Sequence, residues 1–440
     1  MTAVQDDVLA LVTALAPGPA AEPDLHGRLI DDLGYTSLRL LELCIAVERA
    51  FALPPLEQDA LAGAHSGRSG RSRSDAEGKV MNARRMVLVT GAAGHVGAEV
   101  VARLVGRGHP VVALVHNRFD IVSNNGRPVR PARVLRGDVR RPDFGLDADV
   151  IRELAAQVAV IVHCAAVTDF GLPEQRYAEL NVAGTANALE LARRWDSGFL
   201  YVGTAYVCGE FNGTFGEHQL DVGQRFGNGY ERSKHQAEHL VRASGLRWAV
   251  VRPGIVSGEH RTGRSREHNH IYQVLKLIVE GKLRTLPGNY AATLALSPVG
   301  HVADTIATVT ERFSDNVGCT FHAVGAKCVS LQTISDILAE YPSFRVADFV
   351  PPSTFSVDEL DEIERGYFQK VGTLYASYLM RRLEFDSSNT RDRLGIVPPT
   401  TGAGYVRRIL DSCLRTGYLG RSGPSIAEVL AALQPEGSHA

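Results

Sequence analysis

The stretch Met86 to Thr90, followed at once by Gly91-Ala92-Ala93-Gly94-His95-Val96-Gly97, constrains this chain more than any other. Its first five residues read as a short buried strand, and the apolar run after the last glycine reads as a helix to Arg107. The pattern then repeats. Pro110 to Val115, Arg133 to Leu135, Val158 to His163, Phe199 to Val202 and Trp248 to Val251 are further expected strands. Helical stretches separate them, among them Asn181 to Arg194 and the one that carries Lys234. Apolar strands alternating with helices predict an α/β fold, a Rossmann-type doubly wound parallel sheet covered on both faces. From about residue 265 the alternation loosens, and the last hundred residues read as helix with loops, a mixed C-terminal substrate lobe.

At 440 residues the chain is long enough for two or three domains. A hydrophobic content of 45% against 22% charged residues is that of a globular protein. A net charge of -2 gives no reason to expect nucleic acid or an anionic membrane as partner. Six cysteines without a Cys-x-x-Cys pair argue against a disulfide framework or a zinc site. With no basic start, no apolar leader and no span of ~20 apolar residues, a cytoplasmic protein is expected. His268 and His270 lie one residue apart without a third ligand in sequence reach, and are expected to be solvated loop histidines.

The segment from Gly63 to Ser74 is small, polar and basic, so it cannot bury a core; a flexible linker is expected over 64–84. That divides the chain into an N-terminal domain (1–63), the linker, a dinucleotide-binding domain (85–265) and a substrate lobe (266–440) partly interleaved with it. In the first domain Val8 to Leu15 and Leu38 to Phe51 have helical spacing. Leu38, Leu41 and Ile45 form one stripe, leaving Glu42 and Glu48 for the wet side. A small all-α helical bundle is the expected fold, with Ser37 at the N-cap of its second helix.

The glycine turn follows a strand and opens a helix, the context that dinucleotide binding needs. Glycines let the backbone approach a pyrophosphate, whose charge then lies at a helix N-terminus. An acidic residue ending the second strand would accept a ribose 2′-hydroxyl, but this chain has His116-Asn117-Arg118. Arg118 can pair with a 2′-phosphate, so NADPH is expected rather than NADH. Tyr230 and Lys234, four apart on a helix, share a face; a neighbouring ammonium would lower the phenol pKa and fit it for proton donation. Tyr272 and Lys276 have the same spacing but follow the sheet, and are expected to be packing. Thr204, just past its strand, can give a second hydrogen bond to a substrate carbonyl.

In order along the chain, the glycine turn, Gly137-Asp138-Val139, His163-Cys164-Ala165-Ala166, Asn181-Val182-Ala183-Gly184-Thr185, Thr204 and Tyr230/Lys234 resemble an extended short-chain dehydrogenase/reductase. Gly137 through Leu146, Arg252 through Gly263, and more loosely Leu296 through Asp304 and Phe385-Asp386, are similar to the thioester reductase domains that end some nonribosomal peptide and polyketide lines. The resemblance implies a cofactor site of Thr90, Gly91, Gly94, His95, Val96, Gly97, Asn117, Arg118, Asp138, Val139, Ala165, Ala166, Tyr230, Lys234, Pro253, Gly254 and Ile255. In it Asp138 and Val139 flank the adenine, Lys234 holds the nicotinamide ribose, and Pro253 to Ile255 line the nicotinamide pocket. It implies Thr204, Tyr230 and Lys234 as the catalytic set. Gly203 and Cys164 depart from the serine and asparagine common there, and neither removes a proton-transfer group.

Residues 1–63 resemble an acyl or peptidyl carrier domain, centred on Leu33-Gly34-Tyr35-Thr36-Ser37-Leu38. Thr36 replaces the more usual aspartate or histidine. The resemblance implies a phosphopantetheine arm on Ser37, attached by a phosphopantetheinyl transferase and loaded in trans by a chain-building enzyme. Together the two resemblances imply NADPH-dependent reductive release of a carrier-bound acyl or peptidyl thioester as an aldehyde, with a second cycle giving the alcohol. The alternatives are a reductase or epimerase acting on a free carbonyl or nucleotide sugar, and a non-catalytic carrier-docking partner.

Overall fold

The computed structural model describes residues 11–15, 37–51 and 86–420. The chain divides into two compact units, Met1–Val80 and Met81–Ala440. In the first, helix α1 (Ser37–Ala50) places Leu43 with Val12 in a small core that Leu11, Leu15, Leu40 and Val47 surround. Glu42, expected on the wet side, is 7% exposed. The core stripe runs through Leu40, Leu43 and Val47, and Glu42 lies on another flank of the helix. The Asp32 to Thr36 part of the carrier motif and the 64–84 linker lie outside the described residues.

The second unit is built on a seven-stranded parallel sheet. Its strands are β1 (Met86–Thr90), β2 (Val111–Val115), β3 (Arg133–Arg136), β4 (Val158–His163), β5 (Gly198–Val202), β6 (Trp248–Pro253) and β7 (Thr320–Ala323), in the order β7-β6-β5-β4-β1-β2-β3. Leu88 pairs with Val112 on one side and Ile161 on the other. Alternation along β1 splits its side chains between two cores. Val87 and Val89 meet Val100, Leu104, Val302 and Ile306 of α2 (His95–Gly106) and α6 (Val299–Glu311). Leu88 meets Ile151, Leu191 and Val241 of α3 (Ala148–Gln157), α4 (Gly184–Trp195) and α5 (Gly229–Arg242). Burial on both faces is why these strands read as continuous apolar runs.

The seventh strand and α6 come after residue 265 and lie in the Rossmann layers. Two features differ from the sequence expectation. The last hundred residues are not only helix and loop: Asp348–Val350 pairs with Thr285–Pro287, and Leu383–Phe385 with Gly213–Phe215. The helix expected from Asn181 begins at Glu174 and passes through a π turn, Ala178–Ala183, before α4. No helix among the described residues is long and apolar enough to cross a membrane.

Candidate active site

The sheet order reverses between β1 and β4, and the crevice beyond their C-terminal ends is where ligands bind in such sheets. Gly91 ends β1 with φ +64°, and a Cβ there would come within 2.8 Å of the Ala165 backbone. A side chain at Gly97 would overlap the Gly91 carbonyl. The turn is therefore closed to other residues at both ends. Gly94 caps α2 without any side-chain bond, so the first N–H groups of that helix are left for an anion. A buried Nδ1 of His95 has no hydrogen-bond partner in the same turn. This cradle fits a dinucleotide pyrophosphate.

From the turn a cavity of about 370 Å³ runs past Gly91, Gly94, His95, Val96 and Gly97 to Cys164, Ala166, Thr204, Tyr230, Gly254 and Ile255. Arg118 also lines it, 70% exposed, with Glu267 at 3.8 Å. The remaining expected cofactor residues do not line this cavity. Thr90 is buried and its hydroxyl is 2.9 Å from His163 Nδ1 and accepts from Ala165 N, fixing the end of β4. Asp138 takes Arg140 in a fork, and that guanidinium holds its carboxyl below the usual range. Val139 is buried and Asn117 exposed. Pro253 is buried too, its carbonyl 3.4 Å from the Thr204 hydroxyl.

At the far end Thr204 and Tyr230 meet. Burial pushes the Tyr230 phenol above its ordinary range, and a hydrogen bond from Thr204 partly offsets this. In this structure the Lys234 side chain is engaged elsewhere: its Nζ donates to Val202 O at 2.8 Å and sits 4.3 Å from the Tyr201 ring centre. Enclosure lowers the Lys234 pKa to about 7. The reason is placement: α5 packs on the sheet, so the lysine one turn on reaches the open carbonyl at the end of β5.

Several residues outside the expected catalytic and cofactor set build this site. Asn228 caps α5 through Glu231 N. Glu231 pairs with Arg381 at 2.7 Å and Glu238 with Arg252 at 2.7 Å, both pairs buried, clamping α5 to the C-terminal lobe and to β6. Asn181, in the π turn, bonds both backbone groups of Val167 and reaches Ser233. Phe170 gathers Tyr230, His270, Tyr375 and Tyr378 within 5.8 Å between ring centres, making the substrate end aromatic. His268 and His270 are half-buried rather than free in solvent. His268 stacks on Tyr418 at 4.2 Å, and burial lowers its pKa to about 4. His270 packs on Phe170 with its pKa lowered by burial. Tyr272 is 2% exposed, and its hydroxyl accepts from Gly258 N at 2.7 Å.

Residues 89–306 match the model of the NAD-binding family described as Male sterility protein. The chain is 28% identical over 253 residues to the L-2-aminoadipate reductase large subunit of Penicillium chrysogenum, covering 49% of this chain and 18% of that one. It therefore spans less than a fifth of that relative's length. It is 27% identical over 334 residues to sterol demethylase protein B of Methylococcus capsulatus, covering 72% of this chain and 95% of that one. Among solved structures it is similar to the terminal R domain from the myxalamid PKS-NRPS biosynthetic pathway. There the identity is 25%, the TM-score 0.65, and the coverage 77% of this chain and 92% of that one.

Proposed function

Residues 89–306 belong to the Male sterility protein family of NAD-binding domains, and from that premise we propose that the chain is an NADPH-dependent thioester reductase. The observation that carries the reading is the meeting of Thr204 and Tyr230 at the aromatic end of a cavity whose other end is the glycine turn. The likeness to a terminal R domain and to an aminoadipate reductase supports a carbonyl held as a thioester.

When bound, the reduced nicotinamide would supply a hydride to the thioester carbon. The chain's own groups act on the oxygen. Thr204 and Tyr230 donate to it as negative charge develops, and donors fixed in advance lower such a barrier. Tyr230 gives up its proton, which completes a thiohemiacetal; cleavage of the C–S bond then frees the thiol and leaves an aldehyde. Phe170, Tyr375 and Tyr378 hold the acyl part and exclude water. Arg118 takes the 2′-phosphate, and its exposure supports that role. Asp138, Val139, Ala165 and Pro253 shape the walls behind the cofactor.

Ser37 opens helix α1, the position from which a phosphopantetheine arm would project, and the arm would be charged in trans. Incubating the phosphopantetheinylated chain with an acyl donor and NADPH, then following release by mass spectrometry, tests the proposal. Aldehyde should leave with NADPH, and Ser37→Ala should abolish release of a chain loaded on the protein itself while sparing soluble thioesters. No hydride-dependent release from any thioester would overturn it.

A second reading, a reductase acting on a free small-molecule carbonyl, is favoured by the near full-length match to sterol demethylase protein B. Free ketones oxidising NADPH where thioesters do not would establish it.

A further inference from the structure

We propose that Asp221, His235 and His239 form a binding site for a divalent transition-metal ion of the zinc type. The site lies on α5, the helix that also carries Tyr230 and Lys234. It is the only group of three potential ligands so close together among the described residues.

His235 and His239 are four apart, so the helix brings their rings together on one flank, 4.7 Å between centres. Both turn Nε2 toward the same carboxylate, at 3.0 Å and 2.8 Å from the Asp221 oxygens. All three donor atoms lie within 4.8 Å of one another. Nitrogen and oxygen ligands at ~2.0–2.1 Å around a tetrahedral zinc stand roughly 3.3 Å apart. The carboxylate has to withdraw by a few tenths of an ångström, and the two imidazole nitrogens, within 4.8 Å of each other, have to settle at about the same spacing. Asp221 is 62% exposed and His239 45%, so both side chains have room to do so.

At 3.0 Å from Asp221, His235 Nε2 is buried without an aligned hydrogen bond.

The ligands are also held in advance, on two elements fixed by other bonds. The Gln224 side chain donates to Leu220 O, accepts from Val222 N and donates to Val207 O, so it pins both chain neighbours of Asp221. Arg252 clamps Glu238 of α5. Two histidines and one carboxylate leave a fourth position open to water. Zinc and its neighbours in the first-row series suit imidazole. A bound ion would tie the loop around Asp221 to the helix that presents the catalytic tyrosine.

The experiment uses the full chain with any purification tag removed, stripped with EDTA and dialysed free of it. Titration with ZnCl2 followed by calorimetry should give one ion per chain and a rise in unfolding temperature, because the ion binds the folded form. CoCl2 should give the visible absorption of a low-symmetry, four-coordinate ion. Asp221→Asn and His239→Gln, at the exposed ligands, should each weaken zinc at least about tenfold. Zinc that does not bind, or that binds the two variants as tightly as the parent, would overturn the proposal. In that outcome Asp221 is simply a shared acceptor for two imidazoles. The readouts do not depend on reductase activity.

Discussion

Tyr230/Lys234 and Tyr272/Lys276 have the same spacing on two helices of the same unit, yet their hydroxyl and ammonium groups meet opposite fates. Tyr272 is committed: its hydroxyl accepts from Gly258 N, and Lys276 lies 3.7 Å from Glu280 and 5.1 Å from the Tyr418 ring centre. Tyr230 instead meets Thr204 at the wall of the cavity, and Lys234 closes the end of β5 through Val202 O. The difference lies in what each helix leans against. The Tyr230 helix stands beside the C-terminal ends of the strands, where backbone groups run out of sheet partners, whereas the Tyr272 hydroxyl meets a loop amide that it satisfies. Four-residue spacing is a property of helices; a reactive pair is a property of the surface the helix covers.

The largest expected effect is on Tyr230. Tyr230→Phe should lower kcat for a soluble acyl thioester by about 10²–10⁴-fold, the usual worth of a positioned proton donor. An undiminished rate would reduce the contrast with Tyr272 to packing alone. Thr204→Val should cost about 10²-fold, the low end for one oxyanion donor. Its effect should fall on kcat rather than KM if the bond is made in the transition state.

Lys234 sharpens the comparison through pH. Its pKa in the free protein is lowered to about 7 by burial, so it is cationic below that pH and neutral above it. If its charge assists the reaction, kcat/KM should fall as pH rises past 7, approaching about tenfold per pH unit, because that ratio reports the free enzyme. Lys234→Arg, which stays charged, should flatten the limb at a lower overall rate. A limb that persists in the arginine variant would assign the titration elsewhere.

How much of this could be seen in the sequence follows from the range of the forces involved. The glycine turn was legible because its constraints are local: Gly91 needs its φ, and Gly97 must let the helix pass the Gly91 carbonyl. Position between strands was enough to expect the Tyr230 helix, rather than the Tyr272 helix, beside the strand ends. The partner of Lys234 was not legible, since Val202 O belongs to another element. Nor was β7, because Thr320 and His322 interrupt its apolar run; both are buried with distant partners, Arg242 on Thr320 and Glu217 on His322 N. The aromatic wall joins Phe170 to Tyr375 and Tyr378 from the far end of the chain, and no periodicity links them. Glu42 and the two loop histidines failed for a shared reason: a polar residue type sets a preference, and only tertiary packing decides exposure.

Tyr272 gives the smallest expected effect on rate and the reverse pattern. Its ring borders the cavity, but its hydroxyl is spent on Gly258, whose carbonyl is bonded in turn by the Tyr405 hydroxyl. Tyr272→Phe keeps the ring and removes the acceptor, leaving a buried amide N–H unpaired at a cost of about 1–3 kcal/mol. The unfolding temperature should drop by a few degrees, with a rate loss far below that of Tyr230→Phe. Tyr230→Phe should show the opposite, a large rate loss with little change in unfolding temperature, because its hydroxyl meets Thr204 rather than a backbone amide. Measuring both variants by thermal unfolding and by NADPH oxidation therefore crosses the two pairs. If the two profiles coincide, burial alone sets both roles and the position beside the strand ends confers nothing.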